Sequence, residues 1–521
     1  MSKGSRRIKI QLPLPIGNRA KGSKLTLLDL LQRATGGHKL NRQRVFRPSL
    51  AYQLLHDPFW IWCEHHAPRS EAVDETTRYE RMRMQQGVEF EHAWIKANYP
   101  DAVTIKPAYG LEALNNTLEA ILAGVRVIAQ PQLWDLEGET YGKADLLIRD
   151  DSHASDLGPF HYYPVELKRS KSVRPYHVLQ TASYNRMMGR IQGYTPERLT
   201  VALPTRKETI AYFDAEKELD DSLARWKDIR DGRWTPEPGR PPEVTDSPWR
   251  QFGNKLVDSR MDLVLLAGIG SRERDKLRQA GIHRVDRLWN LGLEEVCDIL
   301  GEGYGRTAYY VAQAYRTRSP IPKPGIHLAI PRGKRHLYFD FETSDGVHPT
   351  EPPHVYLIGC WDAERDQFVK FLACGAEDEE RIFTEFLDYI GEVETSRLYH
   401  WTDFETRQIS TLMNRWPNLR GSLQAMLASC VDLKPLIQSA VYLPVPTFSI
   451  KSVAPALGFH WRQKAFGAFE SMVCYWDYLE TKGKGQIDKA VLYNEDDCVA
   501  MWHVDQELAR LPALNQSDGH D

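Results

Sequence analysis

The chain of 521 residues has no apolar run close to the roughly 20 residues that a membrane-spanning helix needs. It also opens on no apolar signal region with a cleavage site, so a cytoplasmic protein is expected. Cysteine is sparse and scattered: Cys63, Cys297, Cys360, Cys374, Cys430, Cys474 and Cys498 share no short repeated spacing. That pattern excludes a disulfide framework and a zinc finger and fits a reducing compartment. No Gly-x-x-x-x-Gly-Lys-Ser/Thr occurs, which excludes ATP hydrolysis through a P-loop. The net charge of −3 provides no overall basic surface. Charge is uneven, however: residues 1–24 carry Lys3, Arg6, Arg7, Lys9, Arg19, Lys21 and Lys24 and no acid, as a solvated tail or a nucleic-acid arm would.

Apolar content of 42% with 26% charged residues is that of a globular chain, and its length calls for several domains. The pattern divides into a basic flexible tail over 1–44, an α/β region over 45–231, and a Pro-rich linker over 232–257. A compact helical segment over 258–318 and a second α/β region over 330–515 follow. The fold class expected is therefore multidomain α/β. In the second region, strands over 355–361, 367–373 and 396–400 and a helix over 378–390 follow an apolar strand from Leu337.

That strand, His336-Leu-Tyr-Phe-Asp340-Phe-Glu342, places two carboxylates at i and i+2 and hence on one face. Two acids side by side in an apolar strand repel each other and lose hydration unless a divalent cation lies between them. Tyr493-Asn-Glu-Asp-Asp497 adds a phenol and a carboxylate one helical turn apart. Between these, His400-Trp-Thr-Asp403-Phe404-Glu405 ends a strand and enters a helix with acids at the turn. Four carboxylates from three segments can hold two metal ions, with Tyr493 orienting the attacking water.

A second constellation lies upstream. Gly142-Lys-Ala-Asp145 opens an apolar strand, Glu166-Leu-Lys168 sets an acid and an amine on one strand face, and Gln180 and Tyr184 share a helix face. Asp145 and Glu166 can hold Mg²⁺, while Lys168 orients water and stabilises phosphate charge. In the helix expected over 75–96, Gly87-Val-Glu-Phe-Glu91-His92 offers a further ligand. Met84, Val88 and Ile95 form an inward stripe that contains Glu91 and leaves His92 about 100° further round. In the helical segment, Gly268-Ile-Gly270 opens a helix bearing Arg272, Arg274, Lys276 and Arg278, and Gly301-Glu-Gly-Tyr-Gly305 is a fainter copy. Such a turn presents free backbone N–H groups to a phosphate.

The upstream set resembles the RecB-like branch of the PD-(D/E)xK nucleases, whose signature joins Gly-x-x-Asp, Glu-x-Lys and Gln-x-x-x-Tyr. The resemblance implies Glu91, Asp145 and Glu166 as metal ligands and Lys168, Gln180 and Tyr184 as catalytic residues. Some relatives hold an iron–sulfur cluster on four flanking cysteines; with Cys63 alone in this half, no cluster is expected. The middle segment looks like a helix–hairpin–helix, implying nucleic-acid backbone contacts from Gly268, Gly270, Arg272 and Lys276. The downstream set resembles the DEDD 3′–5′ exonucleases of the ribonuclease-H-like superfamily, in the subgroup with Tyr-x-x-x-Asp. It implies Asp340, Glu342, Glu405 and Asp497 as ligands of Mg²⁺ or Mn²⁺ and Tyr493 as catalytic. Here Glu405 and His400 replace the family's usual Asp and Asn, and Asp403 is the fallback ligand. The tandem is similar to a family of bacterial and archaeal RecB-type nucleases with a C-terminal ribonuclease-H-like domain, implying DNA or RNA as substrate. Members often continue into a helicase, so a separate helicase is a further expected partner.

Overall fold

The computed structural model describes residues 25–345, 352–392, 395–463, 466–481 and 485–511, so the basic stretch 1–24 lies outside the described residues. The chain forms two compact units, one of residues up to Ala72 with Arg81–Glu237, the other of Val73–Glu80 with Pro238 onward. Among the described residues, no helix is long and apolar enough to cross a membrane.

Among the described residues, the helices around the mixed sheet of the first unit are α1 (Leu27–Thr35), α2 (Ala51–His56), α3 (Pro58–His66), α4 (Arg78–Asn98, in this unit from Arg81), α5 (Leu111–Leu122), α6 (Pro175–Gln192) and α7 (Tyr212–Arg230). The strands are β1 (Val103–Thr104), β2 (Val127–Ala129), β3 (Gln132–Asp135), β4 (Thr140–Lys143), β5 (Leu146–Asp150), β6 (His161–Leu167), β7 (Arg198–Ala202) and β8 (Lys207–Ala211). The sheet runs β1-β2-β5-β6-β7-β8, with β3 and β4 as a separate hairpin. The expected tail over 1–44 needs correction at its end. Thr26 caps α1 in a capping box with Asp29, and Leu30 and Ala34 are fully buried, so burial of this apolar stripe holds 27–35 in the core.

The second unit begins with helical elements α8 (Arg250–Arg260), α9 (Ser271–Gln279), α10 (Leu293–Leu300) and α11 (Glu302–Thr317). The stretch expected as an open linker is thus part of the fold: α8 begins within it, and Val244 and Trp249 are buried. Its prolines signalled solvent, but its apolar residues had a core to enter. After β9 (Ile321–Pro322) come β10 (Arg335–Ser344), β11 (His354–Asp362), β12 (Gln367–Leu372), β13 (Ser396–His400), β14 (Cys430–Asp432) and β15 (Val441–Tyr442). The interspersed helices are α12 (Glu379–Ile390), α13 (Phe404–Arg415), α14 (Arg420–Ser429), α15 (Leu433–Ala440), α16 (Ile450–Ala456), α17 (Ala468–Glu480) and α18 (Ile487–Ala509). The main sheet has the order β12-β11-β10-β13-β14, antiparallel between β10, β11 and β12 and parallel from β10 to β13 and β14.

Alternation along β10 sorts its two faces. Leu337, Phe339 and Phe341 join a core with Ile382, Phe383 and Phe386 of α12 and Ile409 and Leu412 of α13. Tyr338 joins the opposite core with Val453 of α16 and Ala500, Met501 and Val504 of α18. Asp340 and Glu342 follow Tyr338 onto that second face, under α18.

Candidate active sites

On the second unit's sheet, Asp340, Glu342 and Asp497 each offer a carboxylate oxygen within 4.8 Å of the others. Glu342 and Asp497 are buried and Asp340 nearly so. Burial raises all three carboxyl pKa values, and mutual repulsion adds to this for Asp340 and Glu342: Asp340 rises well above its usual value and Glu342 to about 8. Such a group is costly to ionise without a cation, and the donor set suits a hard divalent ion. Asn494, beside Tyr493 on α18, donates to Asp340 Oδ2 at 2.8 Å.

Two neighbours have no site role in the sequence patterns above. The Lys451 ammonium, in the first turn of α16, bonds Asp497 Oδ1, and Trp461 Nε1 donates to the same oxygen at 2.6 Å. The ammonium also lies over the Tyr493 ring at 4.1 Å and the Trp461 ring at 4.2 Å. The contacts from Lys451 and Trp461 to Asp497 span 46 and 36 residues, so no local spacing signalled them. Tyr493 is itself buried, and burial with the nearby Asp497 pushes its phenol far above its usual pKa, keeping it a hydrogen-bonding hydroxyl.

Glu405 stands beside this trio rather than in it. It is buried in the first turn of α13, close enough to raise the Asp340 pKa, with His400 Nδ1 3.6 Å from its Oε2. Among the described residues that oxygen has no hydrogen-bond partner although it is buried. Asp403 differs: it is exposed, and its carboxylate faces Arg407 at 3.3 Å. Asp432, at the end of β14, is a further acid near His400 and Glu405, with Oδ1 accepting from the Lys434 amide at 3.0 Å.

In the first unit, Asp145 lies just before β5 and Glu166 within β6, both buried. Asp145 Oδ2 accepts from the Leu167 amide at 2.7 Å. Glu166 Oε1 accepts from Lys168 Nζ at 2.8 Å and Gln180 Nε2 at 2.6 Å, while its buried Oε2 lacks a hydrogen-bond partner among the described residues. Burial and Asp145 raise the Glu166 pKa to about 8. Burial opposes the Lys168 ammonium, but Glu166 and Asp145 hold its pKa above the usual lysine value. Glu91 of α4 is pushed up to about 7 by burial and by Asp145, so it faces the same acids, whereas His92 is exposed. Among the described residues this group does not close as tightly as the trio on β10 and α18.

The stripe used to orient α4 needs correction. Ile95 is buried, but Met84 and Val88 are 63% and 43% exposed. The helix meets the sheet through its C-terminal half, where Phe90, Trp94 and Ile95 pack with Val127, Leu146 and Val165. Tyr184 is buried, and its hydroxyl donates to the Lys143 carbonyl at 2.9 Å. A Cβ on Gly142 would lie 2.9 Å from the Tyr184 ring, so Gly142 and Tyr184 fit as one packing unit. Tyr184 thereby holds the chain just before Asp145.

At the hairpin, Gly268 has φ +79°, Gly270 caps α9, Arg272 is exposed and Lys276 half-buried. Arg274 is buried, its guanidinium donating to the Ile269 carbonyl inside the turn.

Residues 337–509 match a family model described as RNase_H superfamily. A comparison with curated proteins gives no match. The C-terminal part of the second unit is an RNase H-like domain, a nuclease-type fold associated with nucleic acid and divalent metals. Its acidic cluster is compatible with that chemistry.

Proposed function

We propose that this chain is a divalent-metal-dependent nuclease, hydrolysing DNA or RNA from the 3′ end at its C-terminal site. The observation that carries this reading is the convergence of Asp340, Glu342 and Asp497 within 4.8 Å in a buried, mutually repelling group. These three, with Glu405 beside them, would hold Mg²⁺ or Mn²⁺. Bound there, the metal supplies charge for the phosphodiester and lowers the pKa of water. Tyr493 orients the attacking water through its neutral hydroxyl, and Trp461 fixes the Asp497 carboxylate. Lys451 supplies positive charge beside the phosphate oxygens as negative charge grows. Asn494 keeps Asp340 in its rotamer.

In the first unit, the RecB-like PD-(D/E)xK reading gives Glu91, Asp145 and Glu166 the ligand role. Lys168 orients water, and Gln180 holds Glu166 in place. The helix–hairpin–helix reading gives Gly268, Gly270, Arg272 and Lys276 contacts to the sugar–phosphate backbone. The protein is cytoplasmic in this proposal.

The test is Lys168→Ala and Asp340→Ala, singly and together, with 5′-labelled single- and double-stranded DNA and RNA in Mg²⁺ or Mn²⁺. Asp340→Ala is expected to abolish stepwise shortening from the 3′ end, and the double variant to abolish all cleavage. Cleavage by the double variant at the unsubstituted rate sinks the proposal. One observation favours a second reading, a nucleic-acid-binding scaffold: the Lys451 ammonium already neutralises Asp497 without a metal. Calorimetry of the full chain with Mn²⁺ separates the two, since a scaffold takes up no heat-producing Mn²⁺ that Asp340→Ala abolishes.

A further inference from the structure

A cleft of about 290 Å³ opens in the second unit between the fainter hairpin copy and the segment after α15. Gly303, Tyr304, Lys323, Gln438, Tyr442 and Phe448 are among the residues that line it. Three features give this space a chemical character. Tyr304 is 50% exposed and presents an aromatic ring to it. Tyr442 forms an ordered floor, its ring stacked on Tyr310 at 5.0 Å and lying 4.8 Å from the Lys323 ammonium. Lys323 itself is half-buried and donates to the Gln438 carbonyl at 2.8 Å, and among the described residues no carboxylate neutralises it. Burial holds its pKa below the usual lysine value, so the site favours an anion that restores the charge balance.

One wall residue of the cleft is linked through a short piece of chain to a neighbour of the acidic trio. Phe448, on its wall, accepts a hydrogen bond from Trp401 at 2.9 Å, and Lys451, three residues on, bonds Asp497. Three residues of chain reach no further than about 11 Å. A ring face, a cation and a small apolar wall match the base and phosphate of a nucleotide. They do not match a duplex, whose bases are stacked inward.

We propose that this cleft binds one nucleotide of a single-stranded nucleic acid, its base against Tyr304 and its phosphate on Lys323. The strand would thus be held close to the carboxylates. The site deepens the nuclease reading and takes its ligand class from it.

The test uses the full chain carrying Asp340→Asn to suppress hydrolysis, without divalent metal, and fluorescein-labelled oligothymidylate, oligouridylate and a blunt DNA duplex as probes. Tyr304→Ala and Lys323→Ala are each expected to weaken single-strand binding about tenfold in anisotropy titrations. Tyr304→Phe should restore it, and duplex affinity should change less than about twofold. Equal single-strand affinities in all variants, alongside metal-dependent hydrolysis by the unsubstituted chain, overturn the cleft and leave the nuclease reading standing. Failure of the unsubstituted chain to bind or cleave any probe overturns both.

Discussion

At the scale of single residues, the site turns on which fourth acid supports the trio. Asp403 and Glu405 are two residues apart, and the sequence left both open because a turn into a helix fixes neither direction. Burial decides their environments: Glu405 is enclosed beside His400 with an unpartnered oxygen, and Asp403 points to solvent and Arg407. Glu405→Ala is therefore expected to lower hydrolysis at the C-terminal site more than tenfold, a loss of about 1.4 kcal/mol or more. Asp403→Ala should stay within about twofold. Initial rates on a 5′-labelled single strand decide this, and a reversed ranking would show that the exposed acid does the work. Asp340 and Glu342 were legible because the period of a strand places them together whatever covers them. Lys451 and Trp461 were not, since their meeting with Asp497 is a product of tertiary folding.

At the scale of elements, the register of β10 against β11 makes the site possible. Asp340 pairs with Gly359, and a Cβ at that glycine would lie 1.7 Å from Asn494 Oδ1. The bare backbone of β11 thus admits Asn494, which lets α18 approach closely enough to set Tyr493 and Asp497 over Asp340 and Glu342. Gly359→Ala should force Asn494 or the helix outward. The cost is about 1–3 kcal/mol of overpacking, together with a drop in hydrolysis. Adding Asn494→Ala removes the tightest clash and leaves only the Phe368 ring at 2.9 Å, so the double variant should melt higher than Gly359→Ala alone; independent, additive losses would contradict the close approach. The strands and helices around this register were largely readable from periodicity and apolar runs. The glycine's role was not, because a lone glycine in a strand pattern shows only that something approaches. The same holds for α4, where helical periodicity found a stripe but could not tell that the sheet covers only its C-terminal half. It holds too for the proline-rich stretch, where composition hid Val244 and Trp249 in the core.

At the scale of the whole molecule, both acid groups store the same electrostatic cost, and that cost has a pH signature. Glu166 and Glu342 are raised to about 8 and Glu91 to about 7, while Asp145, Asp340 and Asp497 are raised as well. An acid whose folded pKa exceeds its unfolded one binds its proton more tightly when folded. Its contribution to stability is therefore present at low pH and lost as pH rises toward the folded value. Each such acid contributes a slope of up to about 1.4 kcal/mol per pH unit. His65 and His177 act in the opposite sense: burial lowers both to about 4, so they add stability as pH rises from about 4 to 6.5. That opposing contribution is half spent at pH 6.5 and gone by about pH 7.5. Asp231 and Asp378, lowered to about 2, are ionised throughout, and the raised thiols and phenols are still neutral. From pH 6.5 to 8 the raised acids, Glu166 and Glu342 foremost, outweigh the histidines and set the sign of the slope. In EDTA, the melting temperature is expected to fall steadily across it, and Asp340→Asn and Glu166→Gln should each flatten the fall. Mn²⁺ should raise the melting temperature more at pH 8 than at pH 6.5, because it competes with protons for the same oxygens. A metal-free melting temperature that stays level or climbs from pH 6.5 to 8 would mean that these carboxylates are ionised and paired in the folded chain.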